Sequence, residues 1–199
     1  MMHALGKNRL EGFSDGVVAI IITIMVLELK VPHDASAQAL LQLTPVFLSY
    51  ALSFLVVAIL WVNHHHLLHT LTQVNGRILW LNNHLLFWLS LVPFTTGYMG
   101  ENHLAPLPVA LYGLVLFFAG AAFDLLRRAI AKGQADDPVL AALHRRSDRT
   151  NAISAFLYLA SVPLAWVSVW LSVFIYVLVP VVYFMPGRTI EKLAVQNRA

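Results

Sequence analysis

Four of the nine histidines in this 199-residue chain, His64, His65, His66 and His69, fall within six positions, next to Trp61 and Asn63. Imidazoles at that density suit zinc, iron or copper, and His65 and His69, at i and i+4, share one helix face. His84, in the next apolar stretch, is the further ring that could approach them. Two features count against a metal centre. No carboxylate lies near the cluster in the chain, and membrane di-iron enzymes use several separated histidine clusters where this chain has one. The better reading is structural, with polar rings that hydrogen-bond a neighbouring helix. Other reactive patterns are missing: no GxxxxGKS/T phosphate loop, no GxGxxG after a strand and no GxSxG elbow occurs. The ten acidic residues offer no paired carboxylates for acid/base work, and the absence of cysteine excludes disulfides and thiolate metal sites. Neither hydrolysis nor ATP-driven transport is expected, and no metal or cofactor.

Arg9, Phe13, Ser14 and Asp15 make a second constellation, just ahead of an apolar run. Taken alone, Ser14 or Asp15 reads as the cap of a helix start, with the carboxylate near the positive helix end. The run from Gly16 to Leu27 is apolar apart from Thr23, and Asp15 and Glu28 bracket it. Twelve uncharged residues span about 18 Å of helix, whereas a lipid-exposed crossing needs about 20 residues. A charge near the bilayer centre costs about 3 kcal/mol even on the lenient scale. The helix is therefore predicted to face protein and water rather than lipid. At helical spacing Ile20, Thr23, Ile24 and Leu27 form one stripe about 10 Å tall. Such a stripe is a packing face or the wall of a narrow pore, and periodicity alone favours packing. Glu28 and Lys30 at its outer end read equally well as a cation-concentrating mouth or as a salt bridge.

The elements that must position these residues are membrane helices. Hydrophobic residues make up 59% of the chain and charged ones 12%, about half the charged share of a soluble globule. Six candidate spans follow, at 13–31, 45–67, 78–99, 107–130, 151–168 and 170–186, giving one all-α integral membrane domain over residues 1–199. The last two are separated by an interfacial turn between Trp166 and Trp170. An even number puts both termini on one side. With the termini cytoplasmic, only Lys30 of the thirteen Lys and Arg residues lies outside, as the positive-inside rule requires. The net charge of +3 thus reflects topology and gives no case for nucleic-acid binding. No signal-peptide pattern precedes the first span. The joint at 131–150 reads as the one sizeable cytoplasmic loop, where Val139, Leu140 and Leu143 beside Arg145 and Arg146 are either solvated or laid on the membrane surface. The tail from Arg188 is too short for a further domain, Asp124 with Arg127 or Arg128 reads as a helix-surface pair, and Pro93, Pro163 and Pro180 are expected to kink their spans.

The pattern Arg9-x-x-x-Phe13-Ser14-Asp15, followed by GVVAIIITIMVLELKVP, closely resembles the signature of the lysosomal potassium channel family called transmembrane protein 175, in its short bacterial form. The length and the six-span layout fit that form, and the specificity is concentrated in the first helix. The resemblance implies a homotetramer in the bacterial inner membrane whose first helices line a central cation pore, without a re-entrant filter loop. No TVGYG-like segment is present to supply rings of backbone carbonyls. In the family, bulky aliphatics seven and eleven residues after the motif's Phe narrow the pore, and a threonine stands ten after it. Counted from Phe13, these are Ile20, Ile24 and Thr23, and the next turn adds Leu27. They are the residues that the helical stripe selects. The resemblance further implies that Trp, Asn and His of the second and third helices hydrogen-bond the Phe-Ser-Asp segment, which maps onto Trp61, His64, His65 and either Asn82 or Asn83.

The expected activity is therefore passage of potassium in preference to sodium, with K+ as the permeant ion and the bilayer and further copies of the chain as partners. A ring of Ile20 side chains excludes water and closes the pore, while Thr23 hydroxyls replace part of the ion's hydration shell. The runner-up is a small secondary transporter or proton-coupled carrier, whose marks are repeat symmetry, broken helices and a buried ionisable residue. Of these only the prolines are present. Third is a membrane metalloenzyme using His64, His65, His69 and His84.

Overall fold

The computed structural model describes residues 2–71, 73–132 and 138–184, and every element among them is a helix. The first, α1 (Met2–Leu27), starts well ahead of the expected residue 13. Lys7 and Glu11, at i and i+4 and 4.0 Å apart, carry it across its polar start. Ser14 and Asp15 consequently lie in the helix interior and are not its cap. A short helix, α2 (Ala37–Gln42), follows, and Ser36 caps it by accepting from the backbone N–H of Ala39 at 3.2 Å. The next long helix, α3 (Thr44–His69), begins with a proline in its first turn, where the missing N–H costs nothing.

The third apolar stretch is two helices. Asn75 caps α4 (Gly76–Ser90), accepting from the N–H of Ile78 at 3.0 Å, and the helix stops at Leu91, just before α5 (Val92–Glu101) with Pro93 in its first turn. Proline has no N–H to continue the ladder and crowds the preceding turn, so the expected kink at Pro93 is a break. The last three helices are α6 (Pro106–Lys132), α7 (Pro138–Val167), with Pro163 inside it, and α8 (Val169–Phe184), with Pro180 inside it. The expected loop at 131–150 is thus mostly helical, because α6 runs to Lys132 and α7 begins at Pro138. The side chains of Val139, Leu140, Leu143, Arg145 and Arg146, and the tail from Arg188, lie outside the described residues. Ser168 separates α7 from α8 at the expected turn between Trp166 and Trp170.

Five stretches among the described residues are long and apolar enough to cross a membrane: Gly6–Leu27, Thr44–His69, Gly76–Glu101, Pro106–Lys132 and Asp148–Val167, with the Val169–Val181 stretch of α8 apolar but shorter. Packing makes α6 the hub. It lies against α4, α5, α7 and α8, and Val109, Tyr112, Ala119, Ala122 and Leu126 along it are fully buried. In contrast, α1 packs mainly against α3, α4 and α5. One side of α1 is therefore held and the other is left open.

Candidate functional site

The two sides of α1 differ in chemistry. Leu10, Ser14, Val18, Ile21 and Met25 recur every three or four residues and are buried against the neighbouring helices. On the far side Phe13 and Ile20 are each 59% exposed, Ile24 43% and Leu27 73%. Thr23 shares that side, and its Oγ1 donates to the carbonyl of Ala19 at 2.8 Å. With its proton committed to the helix, the hydroxyl oxygen keeps its lone pairs for whatever lies in front of it. None of the four stripe residues is used to pack this subunit's own core.

A chain of buried hydrogen bonds fixes the held side. Ser14 Oγ donates to Leu10 O at 2.8 Å, so it must accept from its other neighbour, Asn82 Nδ2, at 3.0 Å. That turns the Asn82 carbonyl toward His64, and His64 Nε2 donates to it at 2.7 Å. His64 is therefore the Nε2–H tautomer. Ser14, Asn82 and His64 are all buried, and they tie α1 to α4 and α3. A second tie lies one residue on, where Trp61 Nε1 donates to Asp15 Oδ1 at 2.8 Å. The charged acceptor strengthens this bond.

The remaining sequence-selected residues fall around these ties. His65 does not reach the Phe-Ser-Asp segment; it packs between Trp61 and His69, with ring centroids 5.8 and 4.6 Å away. Arg9 is exposed two turns from Asp15, and Asn83, unlike Asn82, is exposed on α4. His84 accepts from the indole N–H of Trp88 at 2.9 Å. Glu28 turns away from the stripe, its carboxylate 3.1 Å from where a Cβ on Gly97 of α5 would stand. Lys30 pairs with Glu101 and not with Glu28. The Glu101 carboxylate, and more weakly that of Glu28, raises the Lys30 ammonium above its ordinary range.

Two groups escaped sequence reasoning. The expected surface pair at Asp124 is a half-buried network. Asp124 Oδ1 accepts from Arg127 Nη2 and from Asn151 Nδ2, each at 2.7 Å, Arg127 also pairs with Asp148, and Arg128 Nε lies 2.6 Å from Asp124 Oδ2. The signal was charge of both signs on either side of one joint. The second group is a hydroxyl relay in which Ser53 donates to Thr96 at 2.7 Å and lies 3.0 Å from the Tyr112 hydroxyl, joining α5, α3 and α6. At the helix break beside it, Thr95 Oγ1 lies within 3.2 Å of the Leu91 carbonyl and Thr96 Oγ1 donates to that of Val92 at 2.7 Å.

A family model described as "Endosomal/lysosomal potassium channel TMEM175" matches residues 9–93, which hold both the stripe and its ties. Over its length the chain is 44% identical to a potassium channel from Chryseobacterium sp. strain P1-3, across 96% of this chain and 99% of that protein. The chain belongs to the TMEM175 family. A potassium channel from Chamaesiphon minutus is 32% identical over 83% of this chain and 87% of its own. The crystal structure of a lysosomal potassium-selective channel TMEM175 homolog from Chamaesiphon minutus superimposes with a TM-score of 0.79, at 28% identity, covering 90% of this chain and 97% of that one. TMEM175 proteins are ion channels and not enzymes, which removes the metalloenzyme reading. The chain is an integral membrane protein.

Proposed function

We propose that this TMEM175-family chain is the subunit of a potassium-permeable channel, a homotetramer of six-span subunits in the bacterial inner membrane with both termini cytoplasmic. Four α1 helices surround the axis and no re-entrant loop supplies a filter. The observation that carries this reading is the outward stripe of Ile20, Thr23, Ile24 and Leu27 on a helix whose opposite side is clamped by buried polar bonds. The stripe itself would tolerate lipid, and the exposed Asp15 near the start of the same helix argues that this side meets a wet axis instead.

Rings of Ile20 and Leu27 offer water no hydrogen bonds, so a narrow passage between them empties and stops ions. A slight widening lets a partly dehydrated cation through. Potassium surrenders its hydration more readily than sodium, so a passage with few oxygens favours it. The Thr23 oxygen, with its proton donated backward to Ala19, is free to face the cation. Glu28 lies behind the mouth and contributes only its field there. The ties from Trp61, His64 and Asn82 set the angle at which the stripe meets the axis.

The test is flux and reversal potential in liposomes and planar bilayers with potassium and sodium gradients. Ile20→Asn should increase leak and reduce selectivity by hydrating the constriction, and Thr23→Ala should shift the reversal potential toward that of a non-selective pore. Unchanged reversal potentials in both variants would refute the stripe as the selective element.

A further inference from the structure

Two hydrogen bonds set the register of α1 against α3 where the histidines cluster. Trp61 Nε1 donates to Asp15 Oδ1 at 2.8 Å, and two turns away Lys7 Nζ donates to the carbonyl of His69 at 3.0 Å. The helices therefore run antiparallel, and the residues midway between the two bonds, Glu11 on α1 and His65 on α3, stand opposite each other. No bond joins this middle rung. Glu11 Oε1 is buried and has no hydrogen-bond partner among the described residues. Lys7 Nζ lies 4.0 Å from it, beyond hydrogen-bond range, and is engaged by His69. His65 touches the rings of Trp61, His66 and His69 and makes no hydrogen bond among the described residues. A buried carboxylate oxygen without a donor costs free energy, and the imidazole across the helix contact can supply one.

We propose that Glu11 and His65 form a proton-controlled rung between α1 and α3, open while the ring is neutral and closed when the ring takes a second proton from water and donates to Glu11. The cationic ring is a donor at both nitrogens, so it can bond Glu11 whichever edge it presents, and the opposite charges strengthen the bond. The groups around His65 suit a cation. From α1 they are two carboxylates, Glu11 and Asp15, against one ammonium, Lys7, and from α3 itself the imidazoles of His64, His66 and His69. Arg77 and His84 of α4 are exposed, and neither α2 nor α8 carries a charged side chain. The carboxylate of α5, Glu101, lies beside the start of α3, since the neighbouring Gly100 packs on Val46. Closing the rung adds a hold on the helix that bears the stripe, one turn from the Ser14 and Asp15 ties. The rung rests on the two flanking bonds and the orphaned oxygen, and it does not depend on the pore reading.

The test is amide hydrogen–deuterium exchange of the full-length protein in mild detergent at about pH 6 and about pH 8, which bracket the change in imidazole charge. Exchange is read by mass spectrometry on peptides from the first half of α1 and divided by the intrinsic rate at each pH. In wild type the corrected exchange should be about tenfold slower at the lower pH, because a charge-assisted bond opposes local opening. Glu11→Gln keeps the shape without the charge, and His65→Phe keeps a ring between Trp61 and His69. Each should abolish the pH difference, and the double variant should match either single one. His65→Gln, an uncharged donor, should also remove it, and takes the place of His65→Phe if that variant loses its helical circular dichroism. Equal corrected exchange at the two pH values in wild type overturns the proposal, as does a pH difference that survives in either single variant. A difference lost in His69→Phe but kept in His65→Phe overturns the assignment to His65.

Discussion

Two adjacent asparagines on α4 should respond very differently to the same substitution. Asn82 is fully buried and bridges His64 to Ser14, whereas Asn83 is exposed. Asn82→Ala leaves the His64 N–H facing apolar surroundings, which costs about 1–3 kcal/mol for an orphaned buried donor. Ser14 keeps its bond to Leu10, so its lost second partner adds the lower end of that range, about 1 kcal/mol. The expected loss is about 3 kcal/mol, against about 0.5 kcal/mol or less for Asn83→Ala. Denaturant unfolding in detergent micelles, followed by circular dichroism, compares the two. The double variant His64→Phe with Asn82→Ala should cost less than the two single changes added together, since removing donor and acceptor together leaves no orphan. Equal stability of Asn82→Ala and Asn83→Ala, or strict additivity in the double variant, would show that the ties to α1 are not what holds it.

Further outcomes follow from the same geometry. Trp61→Phe removes the only indole donor to Asp15 among the described residues and should cost about 1–2 kcal/mol, while leaving the constriction itself in place; unfolding together with bilayer selectivity checks both. Gly113→Ala would put a methyl 2.3 Å from Tyr176 Oη and 2.6 Å from Ser161 Oγ, and should destabilise by about 2 kcal/mol. Gly120→Ala, with open space beside it, should be neutral or slightly stabilising; thermal melting separates the pair. Because Glu101 raises the Lys30 pKa, the charged form is the one stabilised in the fold. The Lys30–Glu101 tie should therefore be intact below the ordinary lysine range and be lost only as pH climbs past it. Stability of wild type and Lys30→Met should accordingly differ by the same amount from pH 7 to pH 9 and converge only above that range.

The stripe was legible because it needs only a period: Ile20, Thr23, Ile24 and Leu27 share a face on any α-helix, and the structure leaves that face unpacked within the subunit. The clamp was legible by residue type but not by partner. Asn82 and Asn83 differ by about 100° around α4, and which of them meets Ser14 depends on how α4 is rotated, a property of packing and not of the neighbouring letters. His65 failed to reach the motif for the same reason, since it points one step around α3 from His64. The Asp124 network was missed because its partners, Asp148 and Asn151, lie beyond the joint. A pair scored within one helix looks like surface decoration until a second helix brings a further carboxylate. The break at Leu91 was half visible, since Pro93 announced a disturbance but its neighbours in sequence do not say whether the helix bends or stops there.

The exposed side of α1 also constrains what can lie next to it. Asp15 is exposed, and it stands about 18 Å along the helix axis from Leu27. With Leu27 at the edge of a hydrocarbon layer about 30 Å thick, the carboxylate sits well inside that layer. Facing lipid there costs about 3 kcal/mol in each subunit, and the one bond from Trp61 leaves the second oxygen without an indole. Neither Ile20 nor Leu27 objects to lipid; Asp15 does. A ring of copies around a wet axis removes that cost while keeping the aliphatic stripe out of the subunit core. The aliphatics alone would suit a lipid-facing helix, so it is the Asp15 charge that argues for the proposed pore.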